Sequence, residues 1–276
     1  MNKAYLVVNG GLGNQMGQAA FGIALEQVTG AQILYKIDQY RDDEPYRRTF
    51  LLHKYFPRLR RIEATQGPSG AVPTFTEPLH VPDPARMLSD AVAWVSENRE
   101  SIIDGYWLHE EYQRGYEQLF RDYFSPDELG EKTRSEGRSL RATDHIGIHV
   151  RRSDYGHHGL ARMSYYRDCL AEIRKEKGNV PAIVFTDEYN FCCHEFRRES
   201  NLTVVKGDVL NPINDFYLLS CCKHYILSNS SFASWAAKLG QAEDSIVYVP
   251  LPLCIFVPNW TVPGRWRLVQ DATQRQ

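Results

Sequence analysis

The stretch HVRRSDY, residues 149–155, concentrates the side chains best suited to chemistry. A guanidinium presents a planar fork of donors that binds two phosphate oxygens at once. Arg151 and Arg152 therefore suit a diphosphate leaving group, with His149 on the same strand face as Arg151 and Asp154 just beyond the strand. The alternative is a surface ion pair between Arg152 and Asp154 beside a core histidine, and these residues alone favour neither interpretation.

Residues 226–240, ILSNSSFASWAAKLG, run from a strand into a helix whose start is marked by Asn229, Ser230 and Ser231. Such residues cap helices, which is one interpretation. A helix start also offers backbone N–H groups and the positive end of the helix dipole to a phosphate. Phe232 then faces the interior or a nucleobase. The stretch predicts a phosphate-binding turn or a simple helix cap.

Asp187 follows another predicted strand, in the stretch VFTDEYNF. Its carboxylate can accept hydrogen bonds from the N1 and N2 donors of guanine, or it can begin a turn. Ligands of parallel α/β sheets bind beyond the carboxyl ends of the strands. We therefore expect Asp187 to lie at the same sheet edge as the arginines of residues 149–155.

The glycine-rich stretch NGGLGNQMGQ, residues 9–18, matches a dinucleotide-binding fingerprint only in part. Gly11 and Gly13 fit the first two positions of G-x-G-x-x-G, but the third falls on Met16. Asp38 lies 27 positions after Gly11, somewhat beyond the usual ribose carboxylate. The pattern therefore disfavours a nicotinamide cofactor.

Asn14 and Gln15 are residues that the dinucleotide fingerprint does not require. We interpret this turn as a side-chain-poor loop at the mouth of a cleft. Gly11 and Gly13 let the backbone approach a sugar, while the two amides offer hydrogen bonds to phosphate or hydroxyl groups. The alternative is that Asn14 caps the following helix, and both interpretations can hold together.

Hydrophobic periodicity predicts a β-α-β unit at the start of the chain, with strand 4–8, helix 14–28 ending at Gly30, and strand 31–37. A short helix within 47–56, a loop over 66–84, a strand near 101–107 and a helix over 109–124 follow. In the second half, strands alternate with helices, which predicts a second parallel sheet. The strands are 145–150, 182–186, 202–205, 224–228 and 245–249, and the helices are 164–178, 213–223 and 231–239.

We interpret the charged segment 125–144 as a domain hinge, with a solvated helix as the alternative. We place the boundary between two Rossmann-like α/β domains within it, giving domains 1–135 and 136–276. The first is the expected acceptor side and the second the expected sugar-nucleotide side.

The composition excludes several classes of function. The 276-residue chain has a formal net charge of −2, which disfavours broad nucleic-acid binding. The apolar run 246–257 contains two prolines and is too short to span a bilayer, so a cytosolic protein is expected. The six cysteines include two adjacent pairs whose spacing suits reduced thiols better than a zinc site.

Taken together, several motifs in order resemble those of the α-1,2-fucosyltransferases of glycosyltransferase family eleven. They are GGLGNQM (10–16), GYWLHEEY (105–112), HVRRSDY (149–155), the pair Tyr165 and Tyr166, FTDE (185–188) and CKHYILSNSSFASWAAKL (222–239). The resemblance covers most of the chain. It implies a GT-B arrangement, in which two Rossmann-like domains face each other across a cleft.

The resemblance further implies transfer of L-fucose from GDP-L-fucose, with inversion and without a metal, to O2 of a terminal galactose on a glycan. No D-x-D triplet, a common metal-binding pattern, occurs in the sequence. Arg151 is then the main group that stabilises departing GDP, supported by Arg152, His149 and the 229–232 turn. Asp154 leads as the base for the acceptor hydroxyl, and His149 and Asp38 are the other candidates.

Four positions depart from the family pattern: Gly17, Ala19, Ser153 and Ala236. The loss of bulk at Gly17 and Ala236 predicts an altered acceptor or donor preference if these residues line the cleft.

The main alternative is a transferase that uses another GDP-sugar or forms another linkage. A dinucleotide-dependent oxidoreductase with Asp38 as ribose ligand, and a non-catalytic sugar-nucleotide-binding protein, are further alternatives. Peripheral contact with an inner membrane face that carries lipid-linked glycans is an expectation from the family resemblance alone.

Overall fold

A computed structural model describes residues 1–41, 48–126, 128–153, 159–208, 211–254, 257–270 and 272–274. The chain forms two compact α/β units. Unit 1 comprises Met1–Asp127 and Val257–Val262, and unit 2 comprises Glu128–Phe256 and Pro263–Gln276. Residues 257–262 thus return to the first unit, a feature that local sequence patterns do not predict.

Unit 1 is built on a parallel five-stranded sheet with strand order β3-β2-β1-β5-β4. Its strands are β1 Lys3–Val7, β2 Gln32–Lys36, β3 Ala64–Thr65, β4 Thr74–Thr76 and β5 Glu100–Asp104. Its helices are α1 Leu12–Thr29, α2 Leu52–Tyr55, α3 Pro84–Glu97 and α4 Glu117–Tyr123, with 3₁₀ turns at Asp38–Arg41, Pro57–Arg61 and Glu110–Gln113.

The opening β-α-β unit is confirmed. Helix α1 is buried over most of its length, because it packs on the sheet beneath and on the 3₁₀ turn Glu110–Gln113. Gly30 ends it in the left-handed conformation, φ 65°, and donates its N–H to the Glu26 carbonyl at 2.9 Å. The crossover through α1 joins strands that pair in parallel, with Tyr5 opposite Leu34.

Two predictions for unit 1 need correction, and one helix was not predicted. The single helix expected over 109–124 is a 3₁₀ turn followed by α4, because Gly115 between them has φ +86°. The expected loop 66–84 contains the edge strand β4. Helix α3, begun by an Asp83 cap that accepts the Arg86 N–H at 3.0 Å, is not among the predicted elements.

Unit 2 contains a parallel six-stranded sheet with strand order β12-β11-β10-β6-β8-β9. Its strands are β6 Ile146–Val150, β8 Ala182–Thr186, β9 Leu202–Lys206, β10 His224–Ile226, β11 Val247–Pro250 and β12 Arg267–Val269, with an antiparallel pair of β7 Leu160–Ala161 and β13 Thr273–Gln274. Its helices are α5 Glu131–Ala142, α6 Met163–Lys177, α7 Tyr189–Glu195, α8 Pro212–Ser220 and α9 Ser231–Gly240. The second predicted parallel sheet is therefore confirmed.

The segment 125–144 is mainly the solvated helix α5, and not an extended hinge. Most of its residues are exposed, while Gly137 packs on Tyr217 of α8, where a Cβ at the glycine would lie 2.4 Å from the tyrosine ring. The predicted boundary after residue 135 falls inside α5, and the observed division lies between Asp127 and Glu128. A continuous helix that packs on α8 belongs to one unit, which moves the boundary to the start of the segment.

None of the helices within the described ranges has the length and hydrophobicity needed to cross a bilayer.

Candidate functional site

Three parallel strands bring the predicted site residues of unit 2 to one sheet edge. Strand β6 lies between β8 and β10, and Val150 at its end is opposite Thr186 of β8. The chain leaves β6 at Arg151, β8 at Asp187 and β10 at the 227–229 segment. Carboxyl ends of adjacent parallel strands meet at one edge, where α/β folds bind their ligands. The predicted convergence of Arg151 and Asp187 is confirmed.

The Asp187 carboxylate holds the segment that follows β6. Its Oδ1 accepts the Arg152 N–H at 3.0 Å, and its Oδ2 accepts the Ser153 N–H at 3.2 Å and the Ser153 hydroxyl at 2.6 Å. The Arg151 Nε lies 3.1 Å from the same Oδ2. Only 8% of the Asp187 side chain is exposed. Its contacts therefore organise the arginine segment, and it does not simply present a carboxylate to guanine or begin a turn.

Arg151 and Arg152 have different surroundings despite being neighbours. The Arg151 side chain is one-third exposed at the sheet edge, with its Nε bound to Asp187. The Arg152 guanidinium lies over the Phe191 ring, 4.1 Å from the ring centroid, which is a cation–π geometry. Arg151 is therefore the arginine available to bind a ligand phosphate at this edge, because the Arg152 side chain packs against α7.

His149 is a buried, neutral imidazole. Its Nδ1 lies 2.8 Å from the Ser228 hydroxyl, and its ring centroid is 5.7 Å from that of Phe232. Burial, reinforced by the charge of Arg151 and partly offset by Asp187, lowers the pKa of His149 to about 4. At neutral pH the imidazole can donate or accept a hydrogen bond, but it is a weak proton acceptor.

The start of helix α9 is shaped differently from the predicted cap. Ser230 occupies the N-cap position in an extended conformation without a side-chain capping bond. Asn229 is fully buried, and its Nδ2 donates to the Gly159 carbonyl at 2.9 Å. The Asn229 side chain therefore supports the segment at Gly159. Helix α9 begins at Ser231, shortly after β10 ends, and its N-terminus offers backbone N–H groups. Phe232 packs on Phe216 with a centroid distance of 5.3 Å.

Asp215 is a further candidate site residue, to which the sequence motifs do not point. It lies in the first turn of α8, beside Gly207 and the end of β8: a Cβ at Gly207 would lie 3.0 Å from Asp215 Oδ2 and 2.7 Å from the Thr186 carbonyl oxygen. Burial raises the pKa of Asp215 to about 6. An acidic residue in the first turn of the helix that follows β9 is the sequence signal that identifies it.

Asp154, the leading candidate for the catalytic base, lies outside the described residues. The other carboxylate candidate, Asp38, follows β2 in unit 1 and accepts a hydrogen bond from Lys36 Nζ at 2.5 Å. In the described part of the chain, no group of three or more His, Cys, Asp or Glu side chains has an arrangement that could hold a metal ion. The six cysteines are free thiols, and Cys221 Sγ accepts from Arg141 Nε at 3.2 Å.

The glycine-rich motif in unit 1 mainly supports neighbouring loops. Gly11 is the N-cap of α1, and Gly13 and Asn14 lie in its first turn, so Asn14 is not the cap. Gln15 is fully buried: its Nε2 donates to the carbonyls of Gly10 at 3.0 Å and Thr49 at 2.9 Å. Its Oε1 accepts the backbone N–H of residue 51 at 2.8 Å. The Gln15 amide is therefore committed to the protein, contrary to its predicted role as a ligand donor.

The unusual glycine at position 17 does not open a space. A Cβ at Gly17 would lie 2.3 Å from Leu108 Cδ2 and 3.3 Å from the Tyr106 carbonyl oxygen, so Leu108 fills the volume. Ala236 is likewise fully buried within α9. We expected the small residues Gly17 and Ala236 to leave space on a surface open to ligands, and this expectation is wrong.

The fold class agrees with that of solved GT-B glycosyltransferases. NodZ α-1,6-fucosyltransferase co-crystallized with GDP superposes with a TM-score of 0.53 at 18% sequence identity, covering 85% of this chain and 91% of NodZ. A family 9 glycosyl transferase from Veillonella parvula gives a TM-score of 0.50 at 13% identity, covering 98% and 86%. At these identities the likeness defines the fold, an α/β protein of GT-B type.

The chain belongs to glycosyl transferase family 11, whose family model matches residues 105–252, more than half of the sequence. The expected family resemblance is thereby confirmed, and the oxidoreductase alternative is wrong.

Individual relatives match parts of this chain. An α-1,2-colitosyltransferase of Escherichia coli is 27% identical over 159 residues, 54% of each chain. The O-antigen biosynthesis glycosyltransferase WbnK of Escherichia coli is 32% identical over 111 residues, 37% of each chain. A galactoside α-(1,2)-fucosyltransferase 1 of Leontocebus fuscicollis is 27% identical over 290 residues, covering 92% of this chain and 67% of that protein. The chain thus spans about half or less of the two bacterial relatives.

Proposed function

We propose that this chain is an inverting galactoside α-1,2-fucosyltransferase, which transfers L-fucose from GDP-L-fucose to O2 of a terminal galactose. The observation that carries the proposal is the Arg151–Asp187 pair at the β6–β8 edge of a family 11 chain. Relatives named as α-1,2-transferases, one acting on galactosides, support the linkage and the acceptor. GDP in the NodZ crystals supports a GDP-sugar donor.

Arg151 is assigned to the diphosphate. During transfer the bond between the fucose C1 and the β-phosphate oxygen breaks, and GDP leaves with the electron pair. The negative charge that develops on the phosphate oxygens is stabilised by a guanidinium already fixed in place by Asp187. The N-terminus of α9 at Ser230 and Ser231 adds a helix-dipole contribution on the same side. Arg152 contributes by anchoring its segment on Phe191.

Residues near the sheet edge suit recognition of the base. His149 is neutral and can hydrogen-bond to a nucleotide without a proton exchange. The half-buried Asp215 carboxylate is a better candidate than the fully engaged Asp187 for the N1 and N2 donors of guanine. Asn229 acts through the Gly159 segment that it holds.

The acceptor O2 attacks C1 from the opposite face and loses its proton, which gives inversion. Asp154 keeps the role of base in this proposal, because the low pKa of His149 makes the imidazole a poor proton acceptor. Asp38 is less suited, since Lys36 holds its carboxylate. The GDP leaving group is stabilised by Arg151 in this scheme, so a chelator is expected to leave turnover unchanged.

The test is a donor-by-acceptor array with linkage analysis of the product. GDP-fucose with lactose should release GDP and give an α-1,2-fucosylated product, and GDP but not NADH should raise the melting temperature. Arg151→Ala should lower turnover by about 10²-fold or more while the protein stays folded, with a fall in melting temperature that reflects only the lost contact with Asp187. Arg138→Ala, which removes an exposed pair with Glu131 on α5, is the matched control. Near-normal turnover by Arg151→Ala would contradict the proposed role.

A second donor is supported by one relative. The named α-1,2-colitosyltransferase aligns with more than half of this chain, so GDP-colitose belongs in the same array. A higher kcat/KM with GDP-colitose than with GDP-fucose would replace fucose as the transferred sugar while keeping the linkage. GDP-sugar binding without turnover on any galactoside would favour the non-catalytic alternative.

A cytosolic enzyme that contacts a membrane peripherally, where it meets lipid-linked glycans, remains the proposed setting. Co-sedimentation with vesicles of anionic phospholipid, compared with vesicles of neutral phospholipid, tests that contact.

A further inference from the structure

The turn that follows β5 presents one aromatic side chain outward. Tyr106 is 36% exposed, whereas its neighbours Trp107 and Leu108 are almost completely buried. The turn lies at the carboxyl edge of the unit 1 sheet, directly after Asp104 ends β5. This edge is where parallel α/β sheets bind ligands.

One fully buried and one half-buried polar side chain, Gln18 and Glu77, fix the backbone of this turn. Glu77, which follows β4, accepts the Tyr106 N–H at 3.0 Å and the Trp107 N–H at 2.8 Å through the same Oε2. Gln18 of α1 is fully buried, and its Nε2 donates to the Gly105 carbonyl at 3.1 Å. Every one of the three turn residues is therefore held through its backbone by another element.

The backbone conformation in which the turn is held is unfavourable at Trp107. Trp107 has φ +53°, in the left-handed region that non-glycine residues rarely adopt, and Gly105 has φ +158°. The Trp107 ring is locked beneath the turn, stacked on Phe21 at a centroid distance of 3.9 Å. A half-buried carboxylate, a buried amide and a strained residue of unit 1 therefore hold Tyr106 in position. Such preorganisation is typical of ligand sites.

The charges around the turn favour a neutral ligand. Asp104 precedes the turn and Glu77 accepts its N–H groups; burial raises the pKa of both carboxyl groups, and the Lys36 ammonium partly offsets this for Asp104. Carboxylates repel a diphosphate, which in this chain has its cationic partner in unit 2. Sugar hydroxyls, by contrast, donate readily to carboxylates, and the C–H face of a pyranose packs on an aromatic ring.

We propose that Tyr106 is a stacking residue for a sugar ring of the acceptor glycan, positioned by Glu77 and Gln18. This inference rests on the proposed transferase function, because it names the acceptor subsite of that reaction. Asp104 supplies hydrogen-bond acceptors for the hydroxyl groups of the stacked sugar.

The test compares three substitutions, Tyr106→Ala, Tyr106→Phe and Tyr106→Trp, in the full chain. Loss of an aromatic contact should raise the acceptor KM by about five- to tenfold in the alanine variant. The KM for GDP-fucose and the thermal protection by GDP should stay unchanged. Phenylalanine and tryptophan should keep the acceptor KM within about twofold, since stacking needs the ring and not the hydroxyl. Tyr189→Ala, which removes a 38% exposed tyrosine of unit 2, is the matched control.

Positioning by Glu77 is tested separately. Glu77→Gln keeps an oxygen acceptor for the two N–H groups and should stay close to the wild type. Glu77→Ala should reproduce the acceptor KM of Tyr106→Ala. If Glu77→Ala does not fold, the Tyr106 series decides the proposal alone.

A binding measurement separates this inference from the proposed function. Saturation-transfer NMR reports contact of lactose with the GDP-loaded protein whether or not turnover occurs. Lactose signals that weaken in Tyr106→Ala but not in Tyr189→Ala support the acceptor subsite. Unchanged acceptor binding and KM in Tyr106→Ala, or an effect confined to the donor KM, would overturn it. Absence of turnover in the wild type with every donor would instead overturn the proposed function.

Discussion

Replacing Asp187 with Asn tests whether the carboxylate acts through Arg151. The substitution keeps the shape and one oxygen acceptor, so the backbone N–H of Arg152 can retain its bond. It removes the charge that holds Arg151 Nε at 3.1 Å. A hydrogen bond between charged groups contributes about 1.5–3 kcal/mol when buried. Because a third of the Arg151 side chain is exposed, we take about 1.5–2 kcal/mol, the lower part of that range.

That free energy corresponds to a decrease of about 10- to 30-fold in kcat/KM if the bond positions Arg151 in the transition state. The assay is GDP release under single-turnover conditions, with melting temperatures measured in parallel. Ser153→Ala removes the 2.6 Å hydroxyl bond to the same carboxylate but leaves the Arg151 contact intact. It should therefore change kcat/KM by less than about threefold.

A double-mutant cycle provides the decisive comparison. If Asp187 works by holding Arg151, then Asp187→Asn should cost almost nothing further in an Arg151→Ala background. Additive effects of the two substitutions, or an equal loss of activity in Ser153→Ala, would refute the coupling between the two side chains. A fall in melting temperature that matches the loss of activity would instead indicate a purely structural role.

Three further predictions concern stability. Burial raises the pKa of Asp215 to about 6, so the ionised carboxylate destabilises the fold and the free energy of unfolding falls as pH rises from about 4 to 6. Asp215→Asn should therefore raise the free energy of unfolding by about 1–2 kcal/mol at pH 7.5 and leave it unchanged at pH 4, as measured by urea titration. Gly17→Ala forces a Cβ against Leu108 and should cost about 1–3 kcal/mol, which Leu108→Ala should partly restore if the clash is the cause. Gln15→Leu leaves the buried partners of its amide unsatisfied and should lower stability by about 2–4 kcal/mol, whereas an unchanged melting temperature would contradict the described contacts.

The sequence predicts the convergence of site residues better than their individual roles. The positions of Arg151 and Asp187 follow from strand periodicity, because adjacent parallel strands end at one edge. The task of Asp187 depends on the path of the chain at Ser153, which periodicity does not specify. A carboxylate that serves guanine and one that anchors a loop have the same local sequence signal.

The role of Gln15 in unit 1 also could not be predicted from the local sequence. Gln15 has the chemistry of a ligand donor, but its partners include Thr49, 34 residues away. Only the tertiary structure shows that the amide is already used. Two other differences between prediction and structure do have a local sequence signal. Gly115 indicates the break before α4, and the Asp83-Pro84 pair indicates the start of α3.

The segment 257–262 has a consequence for how such chains can recombine. Asn259 accepts the Val81 N–H at 2.8 Å and donates to the Pro78 carbonyl at 2.7 Å, and Thr261 Oγ1 accepts the Glu110 N–H at 2.9 Å. These bonds complete unit 1 with residues encoded beyond most of unit 2. A crossover near residue 127 would therefore graft a foreign closing segment onto the first unit. Chimeras between family members should need two junctions, so that 257–262 stays with its parental Pro78 and Val81.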